Sequence, residues 1–101
     1  FLAPKDKNTL NSLAAALEDG EPAVRAVALA RIAELGPAMS AFSKQVLGLL
    51  GDKDGYVRAT AVAAVVAVGV PAKDAVPALK KLSSDRDARV RAAARFALGR
   101  Y

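Results

Sequence analysis

Histidine, cysteine and tryptophan are all absent from these 101 residues, and only 5% of the side chains are aromatic. Without cysteine there can be no disulfide, no thiolate metal site and no Cys nucleophile, although a Cys-free chain is compatible with reducing and oxidising compartments alike. Without histidine, Ser–His and Cys–His pairs and His-ligated metals are excluded within the chain. No Gly-rich phosphate loop is present. The carboxylates lie in turns beside Arg or Lys, with no apolar pocket implied that would raise a pKa for acid or base work. A non-enzymatic chain with no cofactor is therefore expected. The longest uncharged stretch, Ala59 to Ala72, is fourteen residues long and interrupted by Gly69 and Pro71. A membrane-crossing helix needs about 20 apolar residues, so this stretch reads as a buried helix and no membrane role is expected. The sequence opens at Phe1 with no basic region followed by an apolar one, which predicts no signal peptide and a fragment of a longer protein. Compartment stays open, with the cytoplasm as default.

Hydrophobic residues still make up 53% of the chain, so its core must be built from Ala, Val and Leu. Small side chains predict helices that approach closely. The net charge of +5 is uneven: residues 1–70 hold seven basic and seven acidic side chains, residues 71–101 eight and three.

A period of 33 residues runs through the sequence, carried by Val24-Arg25, Val57-Arg58 and Val90-Arg91. Asp19, Asp52 and Asp85 keep step, as do Ala28, Ala61 and Ala94, then Ile32, Val65 and Leu98, and Leu13, Val46 and Leu79. Even Leu2-Ala3-Pro4 aligns with Leu35-Gly36-Pro37. Such self-similarity is the signature of a solenoid. Within a unit, Val24, Ala28, Ile32 and Leu35 form one helical stripe. The spacing predicts six helices, at about 6–18, 22–35, 38–50, 55–68, 73–83 and 87–99, in units of about 5–36, 37–69 and 70–101 of a single domain. Asn8, Asp54, Asp74 and Asp87 are the expected N-caps, Pro22, Pro37 and Pro71 suit first turns, and Gly20, Gly36 and Gly69 mark stops. Pro77 is tolerable if its helix starts late, at Asp74.

The recurring Asp, turn, Val-Arg, Ala, aliphatic and Gly resembles the HEAT repeats, particularly the HEAT-like variety first named from phycobilisome lyase subunits. It is carried by Asp19, Val24-Arg25, Ala28, Ile32 and Gly36, and by Asp52, Val57-Arg58, Ala61, Val65 and Gly69. The third copy is Asp85, Val90-Arg91, Ala94, Leu98 and Gly99, with its glycine three residues early. The resemblance implies an all-α, right-handed solenoid of three helical hairpins. First helices would form its convex layer, and second helices a concave layer that commonly binds protein or nucleic acid. Such a fold does not dictate function.

The Arg25, Arg58 and Arg91 column could bind anions. A structural ladder is the favoured reading, with Asp19 bonding Arg25, Asp52 bonding Arg58 and Asp85 bonding Arg91 across each turn. Asp52, Asp54 and Gly55 hint at a calcium loop, but Tyr56 takes the next ligand position and Ala63 stands where the twelfth-position Glu belongs. On the groove side of the second helices the units supply Ala26, Ala30 and Glu34, then Ala59, Ala63 and Ala67, then Ala92, Phe96 and Arg100. Glu34, Ala59, Ala63, Ala67, Phe96 and Arg100 are the candidate contacts for a protein or peptide partner. Arg95 replaces Leu29 and Val62 of the earlier units, as a polar C-terminal cap would. Two alternatives remain. One is nucleic-acid binding through Lys73, Lys80, Lys81, Arg86, Arg89, Arg91, Arg95 and Arg100, which lack interleaved aromatics. The other is an accessory role like that of the bilin lyase HEAT proteins, which rests on the resemblance alone. Apolar surface left at either open end would favour self-association.

Overall fold

A computed structural model of the chain describes residues 6–101. The alignment of Leu2-Ala3-Pro4 therefore lies outside the described residues. Six α-helices follow in order: α1 (Lys7–Leu17), α2 (Pro22–Leu35), α3 (Ser43–Leu49), α4 (Gly55–Val68), α5 (Ala72–Leu82) and α6 (Ala88–Leu98), with a 3-10 segment, Gly36–Phe42, leading into α3. There is no strand among the described residues. Each odd-numbered helix packs on the next to make a hairpin, and α4 packs between α2 and α6. The second helices thus form one continuous layer and the first helices the other. The shortest molecular dimension, 18 Å, is that of two helix layers packed about 8–10 Å apart.

The central layer is close because its contacts are small. Ala28, Ala61, Ala64 and Ala94 are buried among Leu29, Ile32, Val57, Val62, Val65 and Val90. Apolar positions on both flanks of α4 are lost from solvent, so its amphipathicity is weak; a helix enclosed on most sides needs little polar face.

Helix starts differ from expectation in two places. Asp6 caps α1, its Oδ1 accepting from the Asn8 amide at 2.8 Å, so the cap lies two residues before Asn8. Helix α5 begins at Ala72 with Pro71 as its extended N-cap residue, leaving Asp74 within the first turn and Pro77 inside the helix. The carbonyl that Pro77 cannot reach belongs to Lys73, in the first turn of the helix, and both residues are exposed, where the missing backbone bond is least costly. Asp54 and Asp87 do cap α4 and α6, accepting from the amides of Val57 and Arg89.

The predicted helix over 38–50 is the larger departure. Gly36 (φ 65°) stops α2, and the chain continues as 3-10 turns through Phe42, with Met39 at φ −99°, ψ 18°. Gly36, Met39 and Phe42 are all buried and fall three residues apart. That is the 3-10 repeat, in which side chains three apart eclipse. The burial spacing widens to four at Phe42, Val46 and Leu50, and α-helix resumes.

Candidate functional site

Two constructions stand out, an arginine–aspartate clamp between repeats and a cleft on the open side of the second-helix layer. The clamp differs from the predicted ladder. Arg25 reaches past its own Asp19 to Asp52, 27 residues on, donating from Nε at 2.8 Å and from a terminal nitrogen at 3.0 Å. Its other terminal nitrogen donates to the Asp19 backbone carbonyl at 2.8 Å. Arg58 repeats the arrangement, bidentate to Asp85 at 3.0 and 2.9 Å and bonded to the carbonyls of Asp52 and Lys53. Arg91 bonds the carbonyls of Asp85 and Arg86, without a carboxylate partner among the described residues. The six-residue spacing thus sets a backbone bond that buttresses the turn, while the carboxylate belongs to the following repeat. A planar guanidinium with five donors can do both at once.

Arg25 and Arg58 are buried, and each guanidinium has its proton held more tightly by the carboxylate facing it. Burial works to raise the Asp52 carboxyl, but hydrogen bonds from Arg25 and the Asp54 amide outweigh it and hold Asp52 below its ordinary value. Arg58 and the Asp87 amide hold Asp85 low against a smaller burial effect. With both oxygens of Asp52 bonded to Arg25, the calcium-like Asp52, Asp54, Gly55 run is spent on holding repeats together.

The cleft lies between α4 and α6. It encloses about 350 Å³ and is lined by Val62, Ala63, Val66, Ala67, Ala93, Phe96, Ala97 and Arg100. Four of the predicted groove residues therefore meet: Ala63, Ala67, Phe96 and Arg100. Phe96 is 72% exposed, so its ring stands beside the cleft as a free wall. The Arg100 guanidinium lies 5.9 Å from that ring's centroid, within cation–π range. Ala59 does not line this cleft; it is half-buried against the core. Glu34, on α2, is exposed and lies outside it too.

A second depression of about 530 Å³ lies between α2 and α4, lined by Pro22, Ala23, Ala26, Val27, Ala30 and Tyr56, with Glu21 and Asp54 at its rim. Tyr56 is 55% exposed, and the Arg89 guanidinium lies 5.7 Å from its ring centroid. Arg89 also pairs with Asp87 at 2.8 Å, and that pair, with the Arg89 amide, lowers the Asp87 carboxyl. Tyr56 and Arg89 were not among the candidate contacts for a polypeptide, Arg89 belonging instead to the basic residues of the nucleic-acid alternative. They lie seven residues before Ala63 and Phe96, two helical turns along the same face, and that spacing could have marked them.

A family model for HEAT repeats matches residues 10–99. The chain belongs to the HEAT repeat family. HEAT repeats generally mediate protein–protein interaction and are typically non-enzymatic scaffolds. No curated protein sequence matches the chain. No helix among the described residues is long and apolar enough to cross a membrane. Three of the basic residues of 71–101 are engaged within the chain: Arg95 bonds the Ser83 carbonyl, Arg91 the turn carbonyls and Arg89 the Asp87 carboxylate.

Proposed function

We propose that this HEAT domain is a non-enzymatic adaptor whose second-helix layer binds a polypeptide, with the α4–α6 cleft taking an apolar side chain. The observation that carries the reading is the cleft itself. Aliphatic walls, an exposed aromatic ring and one guanidinium at the mouth are the make-up of an anchor pocket, in which apolar contacts give affinity and one polar group sets orientation. Arg100 calls for a carboxylate on the partner beside its apolar anchor. The favoured ligand is accordingly a segment pairing Leu, Met or an aromatic residue with a nearby Asp or Glu.

Selection from a random peptide library against the immobilised domain tests this. The reading expects enriched peptides that combine an apolar anchor with an acidic neighbour and lose binding to the Ala63→Asp variant. Enrichment of basic peptides, or binding indifferent to Ala63→Asp and Phe96→Ala in folded variants, would overturn it. The nucleic-acid alternative draws less support, because Arg89, Arg91 and Arg95 of its basic set are bonded within the chain. It expects mixed-sequence DNA to bind with a steep salt dependence.

A further inference from the structure

A third cavity lies away from both depressions of the second-helix layer. It encloses about 510 Å³ between the C-terminal ends of α3 and α5, bounded by the turns that lead into α4 and α6. Leu47, Leu50, Ala78 and Leu82 give it apolar walls, and Lys53, Lys81 and Arg86 stand around them. All three cations are exposed, and none has a carboxylate partner among the described residues. Asp52 and Asp85 also line the cavity, but each is neutralised by the arginine that clamps it. Arg58 lines it too, and its bonds to Asp85, Asp52 and Lys53 use four of its five N–H groups. The fifth, on a terminal nitrogen, has no acceptor among the described residues.

Solenoid packing does not require these cations. The groove one repeat earlier, between α1 and α3, has the same clamp, from Arg25 to Asp52. There Gly20 stands for Lys53, Gly48 for Lys81 and Lys53 for Arg86, while Glu18 replaces Gly51. One groove thus gathers three unpaired cations, the other a single cation and a carboxylate. Nor is Lys81 needed to offset the dipole of its helix, since the last turns of α1 and α3 hold no basic residue. Gly48 lies on the α3 wall, and a Cβ there would meet nothing. Glycine weakens a helix; here it serves no packing within the chain and leaves the backbone wall of the cavity bare.

We propose that the α3–α5 cavity binds a small organic phosphate monoester, with the apolar body on Leu47, Leu50, Ala78 and Leu82 and the phosphate among Lys53, Lys81 and Arg86. The volume is that of a small-molecule pocket. A phosphate monoester carries a charge of about −1.5 to −2 at neutral pH and three acceptor oxygens, enough to engage two lysines and an arginine together. A carboxylate, with one charge and two oxygens, would leave a cation unmatched. Arg86 can meet two of the oxygens with its planar fork, while the lysines act as point charges. The site is separate from the α4–α6 cleft and does not depend on peptide binding there.

Phenyl phosphate titrated into the isotope-labelled chain tests this, at about 0.15 M salt so that distant exposed charges are screened. Saturable amide shifts should appear at Gly48, Gly51, Lys53, Lys81 and Arg86, with a dissociation constant of about 1 mM for so small a ligand. Inorganic phosphate should bind at least about threefold more weakly, because it lacks the body that covers the leucines. Lys81→Gln and Arg86→Gln should each weaken phenyl phosphate about fivefold, as loss of a charge-assisted hydrogen bond does. Lys80→Gln, one residue away but off the cavity, should weaken it less than about twofold. Gly48→Glu, for which the backbone has room, should abolish binding in a chain that still folds. No saturable shift at these residues, equal affinity for inorganic phosphate, or an equal loss in Lys80→Gln overturns the proposal. So does a mixed-sequence oligonucleotide or a phosphotyrosine peptide that moves the same signals and binds about tenfold more tightly, because the site would then belong to a macromolecular partner.

Discussion

The outer flanks of α2 and α6 are drawn from helices with the same repeat, yet one keeps an exposed valine, Val24, beside Arg31, and the other carries Arg95 where earlier units have buried Leu29 and Val62. On α2 the valine of the internal column is kept as Val24, 37% exposed, while Arg31 stands exposed where Ala64 and Ala97 are buried. On α6 the corresponding outward position is Arg95, anchored to the Ser83 carbonyl at 3.0 Å. In a solenoid each repeat is completed by its neighbours, so the same column carries different side chains according to whether a neighbour covers it. Burial, and not identity of the repeat, decides what a position tolerates.

Arginine truncation sharpens this contrast most. Arg58→Ala strips Asp85 of its bidentate partner inside the stack and should destabilise by about 3 kcal/mol or more, the usual cost of breaking a buried pair. Arg91→Ala should cost about 1 kcal/mol or less, since only turn carbonyls lose a donor. Urea midpoints of the two variants make the check, and similar losses would refute the idea that the carboxylate clamp is what distinguishes internal repeats.

Gly55 gives the next effect in size. A Cβ at this position would collide with the Asp87 carboxylate, so Gly55→Ala should displace that cap and lower stability by about 1 kcal/mol. Nothing lies near Gly20, and Gly20→Ala should leave the melting temperature almost unchanged.

Acid should expose the same distinction. Asp52 and Asp85 are held below the ordinary value of 3.8 in the folded chain. The folded state therefore binds their protons less readily than the unfolded state does. Their stabilisation is fully present above the unfolded value, near pH 4, and is lost as pH falls through the lower folded values. Stability followed from pH 7 to 2 should be nearly flat to about pH 5 and decline below 4. In Arg58→Ala the decline should be shallower, because one of the two shifts has lost its cause. The smallest effect belongs to the α2 flank. Val27→Lys should change stability by less than about 0.5 kcal/mol, as for an exposed site without special contacts.

Much of this architecture was legible because the 33-residue register is written in residues that share one environment, such as Ala28, Ala61 and Ala94. The helix starting at Pro22 and the one ending at Val68 followed from proline, cap and glycine chemistry. The 3-10 entry into α3 did not follow, because the unit-wide comparison concealed the local three-residue spacing of Gly36, Met39 and Phe42. Partners of the conserved-looking arginine column also escaped. Sequence proximity favoured Asp19 for Arg25, whereas the guanidinium spans the interface to Asp52, and only the packing of one hairpin on the next makes that carboxylate nearer. At the candidate site, the helical wheel placed Ala63, Ala67, Phe96 and Arg100 on one side of their helices, and these four line the cleft. It treated each second helix alone, and so missed Val62, Val66, Ala93 and Ala97, which become cleft walls only because α4 and α6 lie side by side.

The proposal that a peptide anchors between α4 and α6 is tested most directly by isotope-resolved NMR titration of the domain with an acidic, Leu-containing peptide recovered by selection. The account predicts saturable shifts at Ala63, Ala67, Ala93, Phe96 and Arg100, abolished when the peptide's leucine is replaced by serine and weakened when its carboxylate becomes an amide. Shifts centred on the α1, α3 and α5 layer, with the cleft signals unmoved, would contradict it.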